Sequence, residues 1–199
     1  MTDSRVDDAL IQAIGALGRW LTAARVPYAL IGGIAVGGPF AMRAACRLCA
    51  REGVDTFKLN ISRDEFVSHA RAEITTLEDD ELQAFVSVAH NFGKMVAAHA
   101  RSSKSVKRAV RHKVDCIYHC DFADEEALDL LESVKDESFV GPAFGLVHNC
   151  TIEGERYGFS RELAESMHLF RKFEATCATY HEIRRRGIRV VIGGDYGFS

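Results

Sequence analysis

The chain has 199 residues, 47% hydrophobic and 27% charged, with a net charge of −3. That is enough for a sizeable core, and it gives no global electrostatic reason to expect nucleic acid or an anionic membrane as partner. No apolar run approaches the ~20 residues of a membrane span, and the acidic start "MTDSRVDDALIQ" lacks a signal-peptide apolar region, so a cytoplasmic location is expected.

In chain order, "DDALIQAIGALGRWLTAARV" (7–26) reads as an amphipathic helix and "PYALIGGIAVGG" (27–38) as a strand ending in glycines. "PFAMRAACRLCARE" (39–52) reads as a helix. Its Cys46 and Cys49 form a C-x-x-C, but no second such pair exists to complete a zinc site. Redox or metal use of that pair stands beside the plainer reading of two small residues on a helix face. The six cysteines do not look like a disulfide framework in a chain this long.

From residue 54 onward, strands and helices alternate. "GVDTFKLNIS" (53–62) is rich in β-formers. "TTLEDDELQAFVSVAHNFG" follows, with Leu82, Phe85, Val86 and Ala89 at helical spacing, Thr76 as expected N-cap and Gly93 as stop. Next come strand "KMVAAHA", helix "SSKSVKRAVRHK" with Val106, Ala109 and Val110 on one stripe, and strand "DCIYHC". Helix "ADEEALDLLESVK" carries Ala127, Leu130, Leu131 and Val134 at i, i+3, i+4 and i+7. Strand "SFVGPAFGLV" precedes one long helix over 160–187, and "IRVVIGGDYG" is the last strand.

Strands spaced by single helices predict right-handed crossovers and a parallel sheet, either a (β/α) barrel or a doubly wound sheet. A full eight-unit barrel typically needs about 250 residues, more than this chain has. The fold class expected is therefore α/β, an incomplete TIM (β/α)8-type barrel with parallel strands. The division expected is 1–38, a helix–strand segment of separate origin, and 39–199, the partial barrel.

In parallel βα architectures, polar residues at the C-terminal ends of strands are the positions that carry chemistry. Four stand out: Lys58 in "TFKLN", His99 ending "MVAAH", His119 ending "CIYH", and Asp195 after "VVIGG". Alternation turns Phe57, Leu59 and Ile61 one way and Thr56, Lys58 and Asn60 the other. An inward lysine among apolar strands is costly unless its pKa falls or its amine reacts, for example with CO2 to give a carbamate that bridges two metal cations. His99 and His119 then read as neutral imidazole ligands, and Asp195 as ligand and proton shuttle. Taken singly, a lysine near a strand end also reads as one that snorkels to solvent, and a lone histidine as a hydrogen-bonded structural residue. Four compatible ligands on four strand ends are harder to attribute to accident.

With these residues in hand, the order Lys58, His99, His119, Asp195 resembles the amidohydrolase superfamily of metal-dependent hydrolases. The phrases "GVDTFKLNIS", "VAAHARSSKSVKRAVRHKVDCIYHCDFADEEALDLL", "FVGPAFGLVHN" and "RRRGIRVVIGGDYGF" are similar to its imidazolonepropionase-like and prolidase-like branch, over about residues 40–199. The resemblance implies a (β/α)8 barrel whose fourth strand carries Lys58, fifth His99, sixth His119 and eighth Asp195. It implies hydrolysis of amide or other C–N bonds with one or two divalent metals, often zinc, and a carboxylated Lys58. A metal-activated water would attack the carbonyl, Asp195 would take its proton and pass it to the leaving amine, and His119 would help polarise the carbonyl. His148 and Asn149, after the seventh strand, are the implied substrate contacts. The expected partner is a small amide or peptide-like molecule, with no nucleic acid and no membrane.

The family's H-x-H of the first strand is missing from this sequence, as are its first three strands. An alternative is therefore a catalytically inactive remnant, a joined or truncated gene product that binds metal or a partner. Exposed sheet edges would then favour self-association. Residues 1–38 weakly resemble the start of a nucleotidyltransferase domain, which implies nucleotide binding near Gly32 and Gly33. No Asp-x-Asp follows "IAVGG" to hold magnesium, and the glycines fit neither phosphate-loop pattern. The plainer reading is a buried strand with a flexible exit. The basic run "KSVKRAVRHK" reads as a solvated outer helix, and "EIRRRG" places cations at a helix C-terminus.

Overall fold

The computed structural model describes Gln12, Ala29–Leu30 and residues 38–65 and 71–193. Apart from Gln12, the helix expected over 7–26 lies outside the described residues, as do the loop "IGGIAVG" and Asp195.

Strands β1 (Ala29–Leu30), β2 (Thr56–Asn60), β3 (Met95–Ser102), β4 (Cys116–Phe122) and β5 (Phe139–Gly141) neighbour one another in the order of the chain. The pairs β1–β2 and β4–β5 are parallel, with Ala29 opposite Thr56 and Ile117 opposite Val140. Beyond β5, Val190 bridges Val140 in parallel, with Val140 N–H donating to Arg189 O and Val191 N–H to Val140 O, both at 2.9 Å. A doubly wound sheet reverses its strand order at a switch point, whereas sequential order is that of a barrel wound in one direction. The mixed α/β chain with its parallel sheet therefore follows the barrel alternative of the two the sequence left open.

The chain forms two compact units, residues 1–59 with 77–97, and residues 60–76 with 98–199. In the first, α1 (Gly38–Arg51) buries Met42, Ala45, Cys46, Cys49 and Ala50, an i, i+3, i+4, i+7, i+8 stripe. That stripe packs on α2 (Asp79–Asn91), which buries Leu82, Phe85, Val86 and Ala89 as the spacing predicts. The Cys46 thiol lies 3.7 Å from the Phe85 carbonyl, and Phe85 meets Phe57 edge to face at 5.4 Å. Burial pushes the Cys46 thiol up to about 12 and the Cys49 thiol up to about 11. Buried thiols that stay protonated fit the packing reading of the C-x-x-C. The N-cap of α2 is Glu78, in a reciprocal capping box with Glu81, and not Thr76. The Thr76 hydroxyl faces the Ile61 carbonyl at 3.2 Å instead, tying the chain beyond β2. Gly93, at φ +67, follows the helix as expected.

In the second unit, β3 is buried from Val96 to Ser102, and its Ser102 hydroxyl caps α3 (Ser103–Arg111) by accepting from Ser105 N–H at 3.0 Å. Helix α3 buries Val106, Ala109 and also Arg108, so its basic run is not wholly a solvated face. Asp124 caps α4 (Glu125–Ser133), whose buried residues are Ala127, Leu128 and Leu131, with Leu130 and Val134 half-buried. The strand expected over 138–147 stops at Gly141. Pro142 has no N–H for the ladder and Ala143 turns out at φ +48, so residues 144–148 form the short helix α5 (Phe144–His148). A π turn (Asn149–Glu153) and a 3-10 turn (Gly154–Tyr157) follow. The single helix expected over 160–187 is two, α6 (Arg161–Ser166) and α7 (Leu169–Arg185), broken where His168 takes φ +56. Just after α7, Arg186 is a clamp more than a dipole cap. It pairs with Glu125, with Asp129 at 2.6 Å and with Glu132 at 3.4 Å, all on α4.

Candidate metal centre

The second unit builds its polar centre from the ends of β3 and β4. On β3, His99 and Arg101 are two residues apart and share a face; on β4, His119 and Asp121 are spaced alike. The His99 and His119 rings meet edge to face with centroids 4.4 Å apart and planes at 67°. One step further along the strands, Arg101 Nη1 donates to Asp121 Oδ2. Both histidines are buried, 7% and 2% exposed.

The backbone of β4 is bent to achieve this. His119 and Cys120 take φ +77 and +56, two non-glycine residues in succession in the left-handed region. Such a conformation costs on the order of 1 kcal/mol per residue and is sustained by the surroundings. It breaks the alternation, so that His119, Cys120 and Asp121 are all buried. Burial, then the neighbouring Asp121 and Cys116, push the Cys120 thiol well above its ordinary value. Burial, then the neighbouring Cys120, Asp121 and Cys116, raise the Tyr180 phenol well above its ordinary value.

Around the histidines lies a buried ion network absent from the sequence expectations. Asp64 Oδ2 accepts from Arg101 Nε at 2.6 Å and lies 3.8 Å from His99 Nε2. Lys172 of α7 reaches Asp64 Oδ1 at 3.6 Å and pairs with Glu65, which also accepts from Ala72 N–H at 2.9 Å. Asp121 accepts from the Thr176 hydroxyl, and its backbone carbonyl accepts from the Thr179 hydroxyl, both at 2.9 Å. Lys172, Thr176, Thr179 and Ile183 are the buried face of α7. Two cations thus meet three carboxylates, none of the five side chains more than 13% exposed. Burial opposes the charge on Arg101, but Asp121 and Asp64 more than offset it and hold the guanidinium above its ordinary value. The available signals were the i+2 partners in "HAR" and "HCD" and a lysine–threonine face at helical spacing in α7.

Of the residues expected to carry chemistry, the structure brings His99 and His119 together. Lys58 lies on β2 of the first unit, half-buried, while Phe57 and Leu59 are buried, as alternation predicts. His148 ends α5 with its ring 6.0 Å from Phe173 and 6.2 Å from Phe144, and its Nδ1 3.3 Å from Asn149 Oδ1. Members of the superfamily typically bind divalent metals. The donor chemistry here fits two imidazole ligands, buried and adjacent. Among the described residues no group of three or more His, Cys, Asp or Glu side chains is arranged to hold a metal ion. No helix among those residues is long and apolar enough to cross a membrane.

No protein-family profile matches the chain, and no curated protein does. Solved structures do. A Xaa-Pro dipeptidase with bound methionine in its active site is 26% identical, with a TM-score of 0.70 over 81% of this chain and 39% of that one. An amidohydrolase is also 26% identical, with a TM-score of 0.67 over 79% of this chain and 37% of its own. The A. niger ochratoxinase, at 16% identity, has a likeness of fold alone, with a TM-score of 0.68 over 85% of this chain and 39% of its own. The chain therefore spans less than two fifths of the length of these relatives. It is a relative of the amidohydrolase superfamily, a family of hydrolases, and corresponds to a C-terminal part of its TIM-type barrel.

Proposed function

We propose that this chain carries part of the active site of a metal-dependent hydrolase that cleaves C–N bonds of small amide or peptide-like substrates. The observation that carries the reading is the buried pair of imidazoles, His99 and His119, at 4.4 Å on adjacent strands. Burying two imidazoles side by side is poor use of a core. It is sensible where both serve one cation as neutral ligands.

A divalent ion held there, zinc in the first instance, supplies a polarised substrate oxygen and a water acidic enough to ionise near neutral pH. The chain's own residues do the rest. His99 and His119 hold the ion as neutral imidazoles. Lys58, carboxylated on its amine, and Asp195 are the further donors that the sequence resemblance proposes. Asp195 takes a proton from the attacking water and returns it to the departing amine, and the leaving group departs neutral. His148 and Asn149 are proposed to contact the substrate. The Xaa-Pro dipeptidase relationship recommends dipeptides as the first substrates to try, with N-acyl amino acids second.

The test is hydrolysis by the zinc-loaded chain across a panel of dipeptides and N-acyl amino acids, beside His119→Asn. Turnover in the parent that falls at least 100-fold in the variant is the result expected. Zinc bound by the parent with no turnover on any member would overturn the catalytic reading for this chain.

A further inference from the structure

Strand β4 bends between two fixed points. Upstream, its register with β5 runs from Cys116 opposite Phe139 to Tyr118 opposite Gly141. Downstream, Ala123 N–H donates to the Cys120 carbonyl at 3.1 Å, and the Asp121 carbonyl accepts from the Thr179 hydroxyl at 2.9 Å. Between these lie His119 and Cys120, at φ +77 and +56. Neither is a glycine, so the local chain does not favour this conformation and something outside it must hold it.

Helix α7 supplies that hold. A threonine within a helix commonly turns its hydroxyl back on a carbonyl one turn earlier, as Thr176 does toward the Lys172 carbonyl at 2.7 Å. Thr179, 7% exposed, gives its hydroxyl proton to the backbone of β4 instead. Asp121 is 1% exposed, so water is a poor replacement for that donor. Thr176 also meets Asp121, but at the side chain, and so bears on the ion network more than on the backbone of the bend. The His119 ring meets His99, with 4.4 Å between centroids, from one of the two left-handed residues.

We infer that Thr179 is a positioning residue for His119: by donating to the Asp121 carbonyl, its hydroxyl holds the left-handed bend of β4 that sets the His119 ring against His99. This deepens the metal reading and rests on it for the use of the arrangement, but not for its geometry. Groups that orient ligating histidines typically contribute 10–100-fold to metal affinity, and a group acting through the backbone belongs at the lower end, about 10-fold.

The experiment uses the full chain labelled with 13C and 15N. It compares the parent with Thr179→Val, which keeps the branched shape and removes the hydroxyl, and with Thr179→Ser, which keeps the hydroxyl. In the metal-free proteins, a strong intraresidue amide–Hα cross-peak marks positive φ at His119 and Cys120, and cross-peaks between the two imidazoles report the ring contact. Zinc affinity is measured by competition with a chromogenic chelator. The parent is expected to show both sets of cross-peaks. Thr179→Val is expected to lose them and to bind zinc about 10-fold more weakly. Thr179→Ser is expected to keep them, with a zinc Kd within twofold of the parent. Thr176→Val, which removes another buried hydroxyl from the same face of α7, is expected to keep the bend, and that separates positioning from general loosening. A parent without the positive-φ pattern would overturn the inference even if Thr179→Val does not fold. So would a Thr179→Val protein that keeps the bend, one that loses it while holding zinc as tightly as the parent, a serine variant that behaves as the valine one, or a Thr176→Val protein that loses the bend equally. The two readings fail separately. A parent that binds no zinc, yet whose bend and ring contact are lost in Thr179→Val and kept in Thr179→Ser, sinks the metal reading and leaves the positioning role standing.

Discussion

Replacing Arg101 with Met tests the ion network at the cation that joins two of its carboxylates. The side chain is 2% exposed and bridges Asp64 and Asp121, themselves 13% and 1% exposed. Met keeps much of the volume, so the cost is that of stranding charge. Asp64 can regain some water and keeps Lys172 at 3.6 Å. Asp121 cannot regain water, and keeps the Thr176 hydroxyl at 2.9 Å. Removing one partner of a buried pair costs about 3–5 kcal/mol, and nearly all of it here should come from Asp121. Arg101→Met combined with Asp121→Leu should therefore recover at least about 2 kcal/mol, because no charge is then stranded at that position. Thr176 stays satisfied in the double variant, since its hydroxyl also lies 2.7 Å from the Lys172 carbonyl. Urea unfolding followed by far-ultraviolet circular dichroism measures all three proteins. A single variant within about 1 kcal/mol of the parent would show that the network is not desolvated as described. A double variant no more stable than the single would place the cost elsewhere than in Asp121.

At the start of α4, hydrogen bonds from Lys107, the Ala127 N–H and Ser103 outweigh the effect of burial and bring the Asp124 carboxyl down to about 2 from 3.8. A depressed acid stabilises above its unfolded value and loses that contribution as pH falls through its folded one. Asp124→Ala should cost about 1 kcal/mol at pH 7, and the gap from the parent should close between pH 4 and 2 in acid titrations of the unfolding midpoint. The Lys107 partner adds little, because Asp124 is 53% exposed. A thiol-reactive dye at pH 8 should label exposed Cys177 in minutes and leave Cys46 and Cys49 unlabelled until the chain is unfolded. A C-x-x-C that reacts as fast as Cys177 would contradict its packing role. Gly141→Ala would set a methyl 2.7 Å from the Tyr118 ring and 3.4 Å from Val191, so it should cost about 1–3 kcal/mol by thermal unfolding. A neutral Gly141→Ala would mean the β4–β5 pair is looser than its register implies.

Strands β2 to β4 and the apolar faces of α2 and α3 were legible in the sequence because they follow from periodicity, and periodicity is local, whereas the last expected strand is a single bridge at Val190 among the described residues. The expected helix over 160–187 ran through His168 because nothing in the pattern marks a left-handed residue there, and the strand over 138–147 ran past Gly-Pro, which did mark its end. His99 and His119 could be nominated as strand-end residues, but their meeting depends on strand adjacency, which no single segment encodes. The ion network was out of reach for the same reason. Asp64 and Lys172 are 108 positions apart, and Lys172 reads as an ordinary surface cation until α7 is seen to bury its polar face. The cations of "EIRRRG" do end α7 as expected, but the carboxylates that Arg186 meets on α4 could not be read from that segment.

The histidine pair as a metal centre is decided by the metal content per chain, by elemental analysis, of the purified parent and of His99→Ala/His119→Ala after refolding with added zinc. About one zinc-like ion per parent chain, lost in the double variant, is the result predicted. Parent and double variant holding equal metal, or neither holding any while both are folded, would contradict the assignment of this histidine pair as a metal centre.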